Sequence, residues 1–228
     1  MEYKVVELFD SLEGEGLRTG QPATFVRLAG CNLRCTYCDT LYALFGEAEP
    51  CRYKIMTAEE ILARTNPRFR RVTLTGGEPL AAPGAAELCS LLAKNGYAVN
   101  IETNGAVDIL AFSNACTSMD NMFFTIDYKL PSSGMEDKMI WRNFESLRPQ
   151  DVLKFVVGSE ADAVRMTEIM GRLKKIWAEP PHIFAGAVYG QYDLQRLAAL
   201  ILSDPACANI HVQVQLHKII WSPDERGV

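Results

Sequence analysis

Short runs rich in β-branched and aromatic residues recur along the chain, and each is bounded by turn-forming residues. Lys4 to Phe9 and Ala23 to Leu28 are two such runs, separated by the turn Glu13-Gly14-Glu15-Gly16, and both predict strands. Thr57-Ala58-Glu59-Glu60 has the form of a capping box ahead of Ile61 and Leu62, so a helix begins there. Arg71 to Thr75 reads as a buried strand stopped by Gly76-Gly77, and a helix from about Gly84 to Lys94 stops near Asn95-Gly96. Strands follow at Tyr97 to Glu102, Met122 to Asp127 and Val152 to Val157, the last preceding a long helix opened by Ser159. A strand from His182 to Phe184, a helix from about Gln191 to Ser203 and a closing strand from His211 to Gln215 complete the pattern.

Strands alternating with helices imply βα units and a mainly parallel sheet. A complete barrel of eight such units takes about 250 residues. With about six units in 228 residues the expected architecture is α/β, a partial (β/α) barrel. Chemistry in such folds belongs at the C-terminal strand ends, where a cysteine loop, Gly76-Gly77-Glu78-Pro79 and Glu102-Thr103-Asn104 all fall.

Composition narrows the classes. The absence of repeats and linkers favours one domain over residues 1–228, and 48% hydrophobic with 22% charged residues excludes disorder as the main state. Lys and Arg total 23 against 28 Asp and Glu, a net charge of -5 that offers no broad basic field to nucleic acid or anionic lipid. No run approaches the roughly 18 apolar residues of a membrane helix, and the first residues lead into a strand rather than a signal segment; the expectation is a cytoplasmic protein with no membrane or nucleic-acid partner.

Seven cysteines are an odd number, and three of them crowd into Cys31-Asn32-Leu33-Arg34-Cys35-Thr36-Tyr37-Cys38. That distribution argues for metal or redox chemistry over a disulfide framework. Three thiolates in one short loop can surround one metal cluster and leave a position open for an outside ligand. A structural zinc completed by Cys51, His182, His211 or His217 is the alternative. Cys51, Cys89, Cys116 and Cys207 are expected to fill small buried sites.

The CxxxCxxC loop with Tyr37 before its last cysteine resembles the signature of radical S-adenosylmethionine enzymes. That resemblance implies a 4Fe-4S cluster on Cys31, Cys35 and Cys38, with S-adenosylmethionine on the open iron. It also makes Thr75-Gly76-Gly77-Glu78-Pro79 similar to the family's GGE motif, so that Gly76, Gly77 and Glu78 meet the cofactor's amino group, with Tyr37 and Asp127 as further cofactor contacts. A glycyl-radical-activating enzyme shares the cysteine spacing and would act on a large polypeptide.

Ser11-Leu12-Glu13-Gly14-Glu15-Gly16, Phe25-Val26-Arg27, Cys38-Asp39-Thr40, Glu102-Thr103-Asn104-Gly105 and His217-Lys218 together resemble one branch, the 7-carboxy-7-deazaguanine synthases. These homodimeric, Mg-dependent enzymes contract the ring of 6-carboxy-5,6,7,8-tetrahydropterin with loss of ammonia. The resemblance implies substrate contacts from Glu13, Gly14, Glu15, Arg27, Thr75 and His217, proton transfer by Glu102 and His217, Mg on Thr40, and a flavodoxin-like electron donor. Many members carry Gln where Glu13 stands.

Overall fold

A computed structural model describes residues 1–45, 51–223 and 225–228. One nine-stranded sheet runs through it, made of β1 (Glu2–Leu12), β2 (Pro22–Leu28), β3 (Lys54–Thr57), β4 (Arg71–Gly76), β5 (Ala98–Thr103), β6 (Met122–Tyr128), β7 (Val152–Val157), β8 (His182–Ala187) and β9 (Ile210–Val212). Their spatial order is β3-β1-β2-β4-β5-β6-β7-β8-β9. β1 pairs antiparallel with β2 and β3, and every pair from β2–β4 onward is parallel. The sheet stays open, with β3 and β9 at its ends, which bears out the partial barrel.

The helices are α1 (Ala58–Arg64), α2 (Ala85–Lys94), α3 (Ile109–Ala115), α4 (Trp141–Glu145), α5 (Glu160–Leu173), α6 (Leu194–Ser203) and α7 (His217–Ile220). The Thr57–Glu60 capping box forms with both reciprocal hydrogen bonds, and Ser159 accepts from Asp162 N at 3.2 Å to open α5. β3 and α3 have no counterpart in the sequence reading. β3 is a short outer strand with Ile55 exposed, and the seven-residue α3 is fixed by Asp108, whose carboxylate accepts from Leu110 and Ala111 N. α6 starts at its Asp193 cap, not at Gln191. The last strand is Ile210–Val212, shorter at its end than the expected His211 to Gln215, and His217 opens α7.

Period-two alternation divides the sheet into two different faces. Val72 and Leu74 of β4, Val99 and Ile101 of β5, Phe124 and Ile126 of β6, and Leu153, Phe155 and Val157 of β7 belong to the apolar core. The intervening Thr73, Thr75, Asn100, Glu102, Thr125, Asp127 and Lys154 are polar. Parallel sheets covered on both faces are ordinarily apolar on both. A polar second face therefore marks an interior built for something other than packing, and its members satisfy one another: Thr125 donates to Asn100 Oδ1 at 2.8 Å and Thr75 to Glu102 Oε2 at 2.7 Å.

Glu13, expected to contact substrate, has its side chain in this interior and not among the residues that line the cavity. It is 1% exposed, accepts from the Thr73 hydroxyl, and burial with the nearby Glu102 charge pushes its carboxyl up to about 7. A group raised above its ordinary 4.5 stabilises the fold fully below that pH and loses the contribution as pH rises through about 7. Glu13→Gln, which keeps an acceptor for Thr73, should therefore raise stability at pH 8 by about 1–3 kcal/mol and flatten the loss seen between pH 4.5 and 8 in the parent. Denaturant titrations of both proteins across that range would refute this if the two pH dependences ran parallel.

The end of β4 lies directly against the segment after β2. Gly77 N donates to Leu28 O at 3.2 Å and Glu78 N to Gly30 O at 2.8 Å. A Cβ on Gly76, whose φ is +151°, would stand 2.8 Å from Leu28 N, and one on Gly77 would stand 2.8 Å from the Cys31 Cβ. The two glycines thus let one backbone touch another. Gly77→Ala should destabilise the protein by about 2 kcal/mol or more and lower the iron held per chain, because the displaced atoms carry Cys31. Iron content equal to the parent's after anaerobic reconstitution would contradict that reading.

Candidate functional site

The loop carrying the three cysteines leaves β2 and is fastened from several sides. Gly30 N donates to Ala43 O at 2.7 Å, Thr36 N to Ser133 O at 3.1 Å, and the Arg34 guanidinium to Cys31 O at 2.9 Å and Phe45 O at 2.9 Å. Cys31, Cys35 and Cys38 are free, half-buried thiols, and all three line the same cavity. Cys31 Sγ accepts from Leu33 N at 3.4 Å and Asn104 Nδ2 at 3.5 Å. Burial pushes the Cys35 and Cys38 thiols up, and the Lys129 ammonium opposes it in both.

The described residues contain no three His, Cys, Asp or Glu side chains already gathered around a metal position. The fit to an iron–sulfur cluster lies in the donor chemistry: three soft thiols on one short loop and one cavity wall, with a cation beside them. The buried Tyr37 hydroxyl and Asp127 Oδ1 on the same wall have no hydrogen-bond partner, so polar groups await a ligand there. Cys89 and Cys207 are buried as expected, whereas Cys51 and Cys116 are only half-buried.

Glu78, expected to meet the cofactor, has its side chain turned away from the cavity. Its carboxylate, 1% exposed, accepts from Leu80 N at 3.0 Å, Thr103 Oγ1 at 2.9 Å and Asn104 N at 2.7 Å. Burial pushes it up to about 7 against the pull of those three donors. What it holds is functional: the Asn104 side chain donates to Asn32 Oδ1 at 2.8 Å and to Cys31 Sγ, so Glu78 fixes the group that steadies the cysteine loop. Gly76 and Gly77 do line the cavity.

The cavity holds about 970 Å³ and is lined by the cysteine loop, by the polar face of the sheet and by C-terminal residues. Gly14, Glu15, Arg27, Tyr37, Thr40, Thr75, Glu102, Asp127 and His217 all line it, as the sequence led one to expect. Arg27 Nε donates to Glu7 Oε2 at 2.8 Å, and Tyr42 donates to the same oxygen at 3.0 Å. Gly14 is the only residue that fits beside His217, since a Cβ there would sit 2.7 Å from the ring Nδ1. Thr40 donates to Asp39 Oδ1 at 2.8 Å, which places a hydroxyl and a carboxylate side by side at the cavity edge.

Charge sets the behaviour of the floor. Burial pushes the Glu102 carboxyl up, while Lys154 and the Thr75 hydroxyl pull it down. Burial would also raise Asp127, yet Lys129 at 2.7 Å and Lys154 at 3.2 Å hold it below the usual carboxylate range. His217 is pushed down by burial, so its imidazole is neutral near pH 7.

Sequence reasoning missed Lys154, Glu7 and Gln213. Lys154 left a visible signal, a single charge inside the apolar run Val152–Val157. Gln213, which donates to Glu15 Oε1 at 3.2 Å, and Glu7, which faces Arg27 across the β1–β2 register, left none, because each acts through a partner remote from it in sequence.

Residues 26–126 match the Radical SAM superfamily. Over its whole length the chain is 41% identical to the 7-carboxy-7-deazaguanine synthase of Clostridium acetobutylicum, covering all of both chains. It is 38% identical to the synthase of Methanospirillum hungatei, covering 96% of this chain and 86% of that one. The crystal structure of QueE from Escherichia coli superposes with a TM-score of 0.71 at 26% identity, covering 94% of each chain. With the cysteines, the glycine turn and the Glu15–Arg27–His217 side all facing one cavity, the chain belongs to the 7-carboxy-7-deazaguanine synthase family of radical S-adenosylmethionine enzymes.

Proposed function

We infer that this protein is a 7-carboxy-7-deazaguanine synthase, contracting 6-carboxy-5,6,7,8-tetrahydropterin to 7-carboxy-7-deazaguanine with loss of ammonia on the way to 7-deazapurines. The observation that carries this reading is one continuous cavity of about 970 Å³ lined both by the three cysteines of the loop and by Glu15, Arg27 and His217. That volume stands at the top of the range for a single small-molecule site, about 300–1,000 Å³, and suits two ligands side by side.

Cys31, Cys35 and Cys38 would hold the cluster beside S-adenosylmethionine, and the two together would supply one-electron radical chemistry next to the pterin. The protein's own part is orientation and proton handling. Glu15 accepts from the adjacent N–H donors of the amino-pyrimidinone edge. Arg27, its Nε turned to Glu7, keeps its terminal nitrogens for the substrate carboxylate, a planar fork that Lys would not reproduce. Neutral His217 takes a proton, and Glu102, pushed up by burial, returns one to the departing amine. Tyr37 and Asp127 contact the cofactor through the polar atoms that lack partners.

Thr40 contributes a neutral oxygen to Mg, with substrate oxygens and water making up the rest of the hard shell. The electron donor is a flavodoxin-like protein, the working state is a homodimer, and the location is the cytoplasm. No helix among the described residues is long and apolar enough to cross a membrane.

Anaerobic reconstitution with iron, sulfide, S-adenosylmethionine, Mg and the pterin should yield 7-carboxy-7-deazaguanine; cofactor cleavage without that product would reject the assignment. Loss of any one of Cys31, Cys35 or Cys38 to Ala should abolish turnover and the iron–sulfur absorbance, whereas Cys89→Ala, in the core, should retain both. Thr40→Ala should assemble its cluster normally and lose much of the stimulation by Mg, with Thr40→Ser close to the parent. An unchanged Mg response in Thr40→Ala would place the metal elsewhere.

A further inference from the structure

Lys154 takes no part in the steps above, yet it occupies the centre of the cavity floor. It is 9% exposed, in the middle of β7, and its ammonium reaches two groups that belong to different ligands in the functional reading on which this inference rests. On one side Nζ donates to Glu15 Oε2 at 3.0 Å, the carboxylate assigned to the pterin. On the other it lies 3.2 Å from Asp127 Oδ1, the carboxylate assigned to the cofactor. The remaining charged groups around it are Glu102 from β5, Lys129 after β6, Asp39 from the cysteine loop and His217 from α7.

The two contacts are unequal. Lys154 makes an aligned hydrogen bond to Glu15, whereas Asp127 Oδ1 is buried and has no hydrogen-bond partner, although the ammonium is only 3.2 Å away. Asp127 Oδ2 is already taken by Lys129 at 2.7 Å, and Glu15 Oε1 by Gln213 at 3.2 Å. A small shift of the ammonium nitrogen away from Glu15 would therefore bring the Asp127 Oδ1 contact into line at the expense of the other.

We propose that Lys154 is a positioning residue that links pterin binding to cofactor binding by dividing one ammonium between Glu15 and Asp127. Donors of the pterin arriving at Glu15 share its lone pairs and loosen its hold on the ammonium. Lys154 then completes the missing bond to Asp127 Oδ1, and Asp127, held at both oxygens, is fixed for the cofactor. Carboxylate oxygens accept more than one hydrogen bond, so Asp127 remains an acceptor for the cofactor while it is held. By linkage the cofactor must tighten pterin binding by the same factor that the pterin tightens cofactor binding.

The test is equilibrium binding to the cluster-loaded protein under anaerobic, non-reducing conditions, where no turnover occurs. The dissociation constant of S-adenosylmethionine is measured with and without saturating 6-carboxytetrahydropterin, in the parent, Lys154→Met and Lys154→Arg. The parent should show tightening of about fivefold or more, Lys154→Arg should retain part of it, and Lys154→Met should bring the factor to about one. Lys154→Gln, which keeps a donor without the charge, serves if the Met variant does not fold. A merely structural lysine would change each affinity alone and leave the factor between them intact. Linkage absent in the parent, or persisting in the Met or Gln variant, overturns the assignment of Lys154 while leaving the functional reading standing. A parent protein that binds S-adenosylmethionine but not the pterin overturns the functional reading itself, and the inference with it.

Discussion

The Lys154 ammonium stands among Glu15, Glu102 and Asp127 on the face of the sheet that lines the cavity. Taking a carboxylate out of water costs several kcal/mol even after relaxation, and three of them on neighbouring strands would repel one another. One buried cation with Lys129 beside it makes that arrangement tolerable. Removing such a partner from a buried pair costs about 3–5 kcal/mol, so the polar face and its lysine form one unit. The rest of the sheet is organised around it: the opposite face carries the apolar side chains, and the helices cover that side.

Placement of the reactive loop depends on a second constraint, contact between two backbones. Gly76 and Gly77 allow β4 to end against Leu28, Gly30 and Cys31, and Glu78 next to them turns inward to hold Thr103 and Asn104. Asn104 in turn bonds Asn32 and Cys31. Three strand ends, β2, β4 and β5, are thus tied through a single carboxylate and its neighbours. A loop bearing open cluster ligands needs that kind of rigid support, because misplacement by an ångström at a reacting centre is costly to rate.

The sequence made the strands legible where they were apolar runs bounded by turns, and the helices legible where a capping residue stood before the periodic stretch, as at Thr57 and Ser159. It hid β3, an exposed four-residue edge, and α3, too short for a periodic signal. The cysteine spacing was readable because three ligands of one cluster must be close in the chain. The carboxylates of Glu13 and Glu78 were not, since a turn or strand end shows that an acid is present and not which way it points. Both turn into the protein, where hydroxyl and amide donors receive them. Glu7 was invisible for a related reason: its importance lies in Arg27, across the β1–β2 pairing.

The same burial acts in opposite senses on Glu102 and His217, the two groups to which the functional reading assigns proton transfer. A carboxyl in a poorly solvated place favours its neutral form and an imidazole there also favours its neutral form, so Glu102 moves up and His217 moves down. The first change makes an acid more available near neutral pH, and the second makes a base more available. Neither requires a special partner for each residue, because a single environment serves both. Lys154 limits the effect on Glu102 by favouring its charged form, and the same cation joins Glu15 in setting the charge around His217. Glu102 and His217 thus share Lys154 as a neighbour while burial has the larger influence on each, so a change of charge at Lys154 would reach both groups at once.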